Sequence, residues 1–147
     1  MTELELVQIQ DDWKLGHCTD DPVRPHLPLA WRVSKGREVY GLEDENSVLQ
    51  AVICVAYCTD VPLTEAELDR SSTPEGSTAV FYTVWSYARG AGRQMVLRAA
   101  DHIHKTRGCT RYVTLSPLTE MAERFHLQNG ARLLTRGDTC QNFEYTL

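Results

Sequence analysis

Apolar and polar positions alternate over residues 3–9, where Leu4, Leu6, Val7 and Ile9 give the period of a half-buried strand. Asp11-Asp12 then opens a short helical or irregular piece around Trp13 and Leu15. Pro22, Pro25 and Pro28 enclose Arg24 and His26, and prolines at that spacing exclude a stable helix and predict loop or extended chain. Residues 37–57 read as a hairpin: one strand at 38–42, a polar turn at 43–47, and a second strand at 48–57. The run Ala51-Val52-Ile53-Cys54-Val55-Ala56 is continuously apolar, which predicts a central strand buried on both faces. Residues 63–70 suit a short acidic helix capped by Thr64.

Residues 79–87 are rich in β-branched and aromatic side chains and form the clearest strand. Ala88-Arg89-Gly90-Ala91-Gly92-Arg93 follows, and then a helix to about Lys105 whose Met95, Val96, Ala99, Ala100 and Ile103 share one face. Gly108 stands where a C-cap glycine belongs. Residues 111–116 predict another strand. A second helix runs from Thr119 as N-cap to Gln128 and ends at Asn129-Gly130. Residues 131–147 read as two strands around Arg136-Gly137-Asp138. The order describes one mixed α/β domain over residues 1–147, largely antiparallel at first and with helical crossovers later.

A chain of 147 residues, 42% apolar and 24% charged, has the composition of a globular protein with a full core. No apolar run approaches the roughly 20 residues of a membrane span, so no membrane partner is expected. The start Met1-Thr2-Glu3-Leu4-Glu5 is acidic where a signal peptide is basic, and the expected location is cytoplasmic. A formal net charge of −5 disfavours a general nucleic-acid surface. Five cysteines, an odd number at wide spacing, do not make a disulfide framework, and Cys54 and Cys58 read as small buried hydrophobes. His17-Cys18 are adjacent, and His102 and His104 face different ways on a helix; no metal site is expected.

Strand, Arg89-Gly90-Ala91-Gly92-Arg93-Gln94 and helix make the pattern richest in chemistry. A glycine turn opening a helix offers unpaired main-chain N–H groups and the positive end of the helix dipole, which together hold a phosphate or pyrophosphate. The bland alternative is a tight strand-to-helix turn with no ligand. A Gly-Lys-Ser/Thr ending is absent, which excludes a nucleoside-triphosphate loop. The dinucleotide fingerprint wants three glycines after an early strand, whereas this loop comes late and has two.

Arg89-Gly90-Ala91-Gly92 resembles the start of the Arg/Gln-x-x-Gly-x-Gly/Ala signature of the GNAT acyl-coenzyme A N-acyltransferases. Downstream, Thr119-x-x-Ala122-x-x-Phe125-His126-x-x-x-Gly130-Ala131 is similar to that family's Asn-x-x-Ala-x-x-Phe/Leu-Tyr-x-x-x-Gly-Phe segment. The resemblance spans about residues 79–134, in the family's order. Gln94, Thr119, His126 and Ala131 depart from its usual Gly/Ala, Asn, Tyr and Phe.

The resemblance implies a mostly antiparallel central sheet flanked by helices, and an N-acetyltransferase using acetyl-CoA. It implies direct attack of a primary amine, from a small molecule or a protein, on the thioester. Main-chain groups of Val84, Trp85 and Ser86 would meet the carbonyl and pantetheine. Arg89, Gly90, Ala91, Gly92, Arg93 and Gln94 would hold the pyrophosphate, and Thr119 would contribute to the cofactor site. His126, with an ordinary pKa of about 6.5, would replace tyrosine as acid to the leaving thiolate. The strand at 79–87 has no carboxylate, so the base is left among Ser116, Thr83, Tyr82 and a water chain. Trp31, Trp85, Tyr82 and Tyr87 would line an acceptor pocket or join the core. Arg24 and His26 fall where the family builds its acceptor site, although loop charges are usually solvated. The assembly is left open, a homodimer being one state it admits. The rival reading is a GNAT-fold module that has lost catalysis and binds coenzyme A or a protein partner.

Overall fold

The apolar run at residues 51–56 sets the centre of the molecule. In strand β3 (Leu49–Cys58) its alternate side chains go to opposite faces. Ala51, Ile53, Val55 and Tyr57 enter one hydrophobic cluster, and Val52, Cys54, Ala56 and Cys58 enter another. That division is why the run shows no alternation: both faces are covered. The computed structural model describes residues 3–147; Met1 and Thr2, the head of the acidic start, lie outside it.

Strands β1 (Glu5–Gln8), β2 (Arg37–Glu43), β3, β4 (Thr78–Ser86), β5 (Arg111–Thr114), β6 (Ser116–Pro117), β7 (Arg132–Arg136) and β8 (Cys140–Tyr145) form one eight-stranded sheet. Its order is β1-β2-β3-β4-β5-β8-β6, with β7 pairing β8 off this path. β4 and β5 are parallel, and every other pairing among the described strands is antiparallel. The fold is therefore the mixed α/β arrangement expected.

Between the parallel strands runs helix α4 (Ala91–Arg107), which follows the single-turn helices α1 (Asp12–Leu15) and α2 (Leu29–Arg32) and the short α3 (Glu65–Ser71). The five apolar positions expected on its inner face are all buried. Gly108 ends it at φ 65°, a left-handed conformation that costs a glycine little. Thr64 and Thr119 cap α3 and α5 (Glu120–Gln128), their hydroxyls accepting from the N–H of Glu67 and Ala122. All five cysteines are buried and free.

Three details differ from the sequence reading. Pro28 does not merely end the proline-rich loop; it precedes the single turn of α2, where its fixed φ suits a helix start. The strand expected at 111–116 divides, because β5 pairs with β4 while β6 pairs only with β8. Arg24, expected as a solvated loop charge, is buried, and so are Asp21 and Arg32. The Asp21 carboxylate accepts from the N–H of Val23 (2.8 Å) and Arg24 (2.9 Å), the Thr83 hydroxyl (2.9 Å) and Arg32 Nη1 (2.9 Å). Arg32 Nη2 donates to the Arg24 carbonyl at 2.7 Å. The cluster pins residues 21–32 to β4 on the face opposite α4.

Removing one partner of a buried ion pair strands the other charge. Asp21→Ala is expected to cost about 3–5 kcal/mol, read as a lower denaturation midpoint at unchanged slope; a loss under 1 kcal/mol would contradict this.

Candidate active site

β4 is nine residues long, yet its parallel pairing with β5 covers only Thr78–Phe81 against Arg111–Thr114. The final main-chain bond, Leu115 N–H to the Phe81 carbonyl, is 3.1 Å. At that point the register with β3 slips, since Cys54 opposes Thr83 but Val55 opposes Phe81. Tyr82 is thus an extra residue, and such a bulge bends its strand. From there β4 and β5 part. The Tyr82 carbonyl accepts a hydrogen bond from Arg24 Nη1, so the loop cluster takes up a main-chain acceptor at the bulge.

The parting holds a cavity of about 610 Å³. Its wall takes Phe81, Val84 and Phe125 from the cluster packed on α4, and Tyr82, Trp85 and Leu115 from the opposite cluster. The cavity therefore passes between the strands from one face of the sheet to the other. Of the residues expected in the site, Val84, Trp85, Ser86, Gly92, Ser116, Thr119 and His126 all line it. Arg89, Gly90, Ala91, Arg93 and Gln94 lie in the adjoining turn and first helical turn, outside the lining.

Gly90 takes φ 81° as N-cap of α4 and supplies no side-chain cap. The Ala91 N–H reaches the Ala88 carbonyl (3.2 Å) and that of Gln94 the Gly90 carbonyl (3.4 Å), leaving those of Gly92 and Arg93 without an acceptor among the described residues. Two free amides at a helix start, with the dipole behind them, suit an anion. A Cβ on Gly92 would come within 3.3 Å of the Phe125 ring and 3.7 Å of Ser86 Oγ, so its hydrogen keeps α4, α5 and the end of β4 close. Arg93 is otherwise engaged: it donates to the Gln128 carbonyl (3.3 Å) and Asn129 Oδ1 (3.2 Å), tying the start of α4 to the end of α5. The Thr119 hydroxyl is occupied as a helix cap.

His126 is buried, stacked on Phe143 at 5.3 Å between ring centres, with Nδ1 2.7 Å from the Tyr145 hydroxyl. Burial pulls its pKa down to about 4, so the ordinary value expected from sequence is corrected: the imidazole is neutral at neutral pH. Burial likewise raises the Tyr145 hydroxyl, keeping it protonated and able to donate to Nδ1. In the tautomer in which Nδ1 accepts from Tyr145, Nε2 carries the proton. The Ser116 hydroxyl lies 2.8 Å from that of Thr114, which accepts from the Phe143 N–H at 3.0 Å. Thr83 is tied to Asp21, and the Tyr82 hydroxyl is buried without a partner among the described residues. Trp31 packs edge-on against Tyr82 at 5.6 Å, and the Tyr87 hydroxyl donates to Asp20 and accepts from Trp85; of the four, Tyr82 and Trp85 line the cavity and Trp31 and Tyr87 do not.

Tyr145, Pro22, Val23 and the Asp21–Arg32 pair escaped the sequence reading. Nothing local marks them, for each acts across the sheet. Among the described residues no group of three or more His, Cys, Asp or Glu side chains is placed to hold a metal ion, and no helix is long and apolar enough to cross a membrane.

Solved structures with this architecture decide the fold. The spermidine N-acetyltransferase SpeG of Vibrio cholerae, as a point mutant, superposes with a TM-score of 0.67 at 9% identity, over 97% of this chain and 92% of its own. An acetyltransferase of Bacillus subtilis in complex with CoA gives 0.63 at 13% identity, over 97% and 95%. This chain has the GNAT fold. A malonyl-CoA decarboxylase from Agrobacterium vitis is also similar, with a TM-score of 0.69 and 19% identity over 83% of this chain. The chain spans about a third of that protein's length, 35%. No protein-family model matches the sequence, and no curated protein matches it.

An unfolded histidine binds its proton near pH 6.5, whereas folded His126 does so near 4. Between these values the unfolded state holds more protons, so stability is full above about 6.5 and falls as the pH drops, by up to about 3 kcal/mol. The His126 ring resonances, followed by NMR, should titrate with a midpoint below 5; a midpoint near 6.5 would show the ring to be solvated.

Proposed function

We propose that this GNAT-fold chain transfers an acyl group, most simply acetyl, from coenzyme A to a primary amine by direct attack in the parting between β4 and β5. One observation carries the reading: a single cavity, walled by residues from both hydrophobic clusters, runs from Val84, Trp85 and Ser86 at the end of β4 to Gly92 at the head of α4. A thioester and a nucleophile can meet in such a cavity. The similarity to a spermidine N-acetyltransferase and to a CoA complex supports it.

In this reading the free amides of Gly92 and Arg93 hold the pyrophosphate, with Arg89 adding charge from the exposed turn. Main-chain groups at Val84, Trp85 and Ser86 align the pantetheine arm and polarise the carbonyl. The amine nitrogen bonds to the thioester carbon, the C–S bond breaks, and sulfur leaves with the electron pair. The proton lost by nitrogen ends on sulfur, so an amide and a thiol form with no other reactant. His126 serves as a neutral Nε2–H donor to the charge growing on sulfur, oriented by Tyr145, rather than as an imidazolium acid. Ser116, which lines the cavity and is backed by Thr114, would relay the proton in this reading.

A second reading, loss of CO2 from a malonyl thioester, has the decarboxylase similarity behind it, together with histidine in the tyrosine position and the lack of a carboxylate base. The two separate cleanly. Transfer consumes acetyl-CoA only when an amine is present; decarboxylation turns malonyl-CoA into acetyl-CoA without one.

With acetyl-CoA at about 100 times its Kd, the folded state should gain about 2.7 kcal/mol, seen as a raised melting temperature. Gly92→Glu, which places bulk and negative charge beside the free amides, should abolish that rise. His126→Phe should preserve it while lowering kcat about 100-fold; unchanged turnover would remove His126 from the mechanism.

A further inference from the structure

The cavity has a chemical character that acyl transfer alone does not require. Seventeen described residues line it, and none is Asp, Glu, Lys or Arg. The side away from α4 is walled by Pro22, Val23, Leu115 and Pro117, with the aromatic ring of Tyr82 behind. Met121, which also lines the cavity, is exposed.

Carboxylates on the elements around the cavity are paired: on α5, Glu120 with Arg124 and Glu123 with Arg136. Asp21 accepts four hydrogen bonds, as many as a carboxylate has lone-pair sites, one of them from buried Arg32. Glu65 accepts from Arg24 Nε at 3.1 Å and lies 2.8 Å from His26 Nε2. Asp20 accepts from the Tyr87 hydroxyl at 2.6 Å. The imidazole of His126 is neutral and engaged with Tyr145.

A cation placed in such a cavity loses its hydration and gains no counter-ion, an expensive exchange. A monoamine escapes that cost by shedding its proton on entry, because an uncharged, desolvating wall favours the neutral form. The neutral form is also the nucleophile. A polyamine shedding one proton still carries others, and the walls hold nothing to receive them.

We infer that the acceptor is an apolar primary monoamine, with an aryl or branched alkyl body against Val23, Leu115 and Pro117, and that the charge-free wall substitutes for a general base. This rests on the acyl-transfer reading. Its substrate preference is opposite to that named for the spermidine N-acetyltransferase of the same fold, in keeping with fold and acceptor being set separately.

The test is thiol release from acetyl-CoA by the full chain, with phenethylamine and benzylamine compared with spermidine and lysine methyl ester at one pH. The aryl amines should show kcat/KM at least about tenfold above the polycations. Val23→Glu, whose folding is checked by its melting curve, should shift the ratio about tenfold toward spermidine by supplying the missing counter-ion. Faster wild-type turnover of spermidine, or an unchanged ratio in folded Val23→Glu, overturns the apolar acceptor while leaving acyl transfer standing. A melting rise with acetyl-CoA but no thiol release with any amine overturns both and leaves a binding module; no melting rise removes the coenzyme A site itself.

Discussion

Two parallel strands that pair for four residues and then separate impose most of what is distinctive here. Main-chain groups left along the open edge of β4 must find water, a side chain or a ligand, since a buried unpaired carbonyl or amide is costly. The bulge at Tyr82 starts the separation, and the Arg24 guanidinium satisfies the carbonyl it exposes. A buried guanidinium in turn needs company. Glu65 meets it from one side, and the Asp21–Arg32 pair fixes the loop that carries it. The proline-rich segment is therefore a wall of the cavity whose position follows from the strand geometry beneath it.

The same parting explains why the candidate chemistry concentrates in one place. α4 must begin where β4 ends, so its unpaired amides open beside the exposed strand edge. α5 closes the other side, with Phe125 set against Gly92 and His126 sunk between Phe143 and Tyr145. Burial makes the imidazole neutral, and its Nδ1 shares a hydrogen bond with the Tyr145 hydroxyl. An uncharged donor and an uncharged wall form a consistent environment for the proposed transfer, in which an amine would enter as the neutral nucleophile.

Features governed by neighbours in sequence were legible. The caps at Thr64 and Thr119, the stop at Gly108, the inner face of α4 and the double-sided burial of β3 depend on residues a few positions apart, and periodicity reveals them. The glycine turn and the α5 segment together pointed to the fold and to seven residues that share the cavity. What stayed hidden depends on distant partners. Asp21 meets Thr83 62 positions away, Arg24 meets the Tyr82 carbonyl, and His126 meets Tyr145 19 positions on. Sequence gives each the identity of an ordinary loop charge or helical histidine; only the parting of β4 and β5, which no local pattern encodes, brings them together. Arg93 shows the reverse. Its motif position suggests a phosphate ligand, a role open to its main-chain amide, while its side chain holds two helix ends together.

The central claim is that the open edge of β4 and the head of α4 form one continuous acyl-CoA site. Backbone amide NMR during titration with coenzyme A tests this most directly. The account predicts coupled shifts, saturating together, at Val84, Trp85, Ser86, Gly92 and Arg93, with β1 and β2 unmoved. Saturating coenzyme A that leaves those five amides in place, or that perturbs only a distant surface, would contradict it.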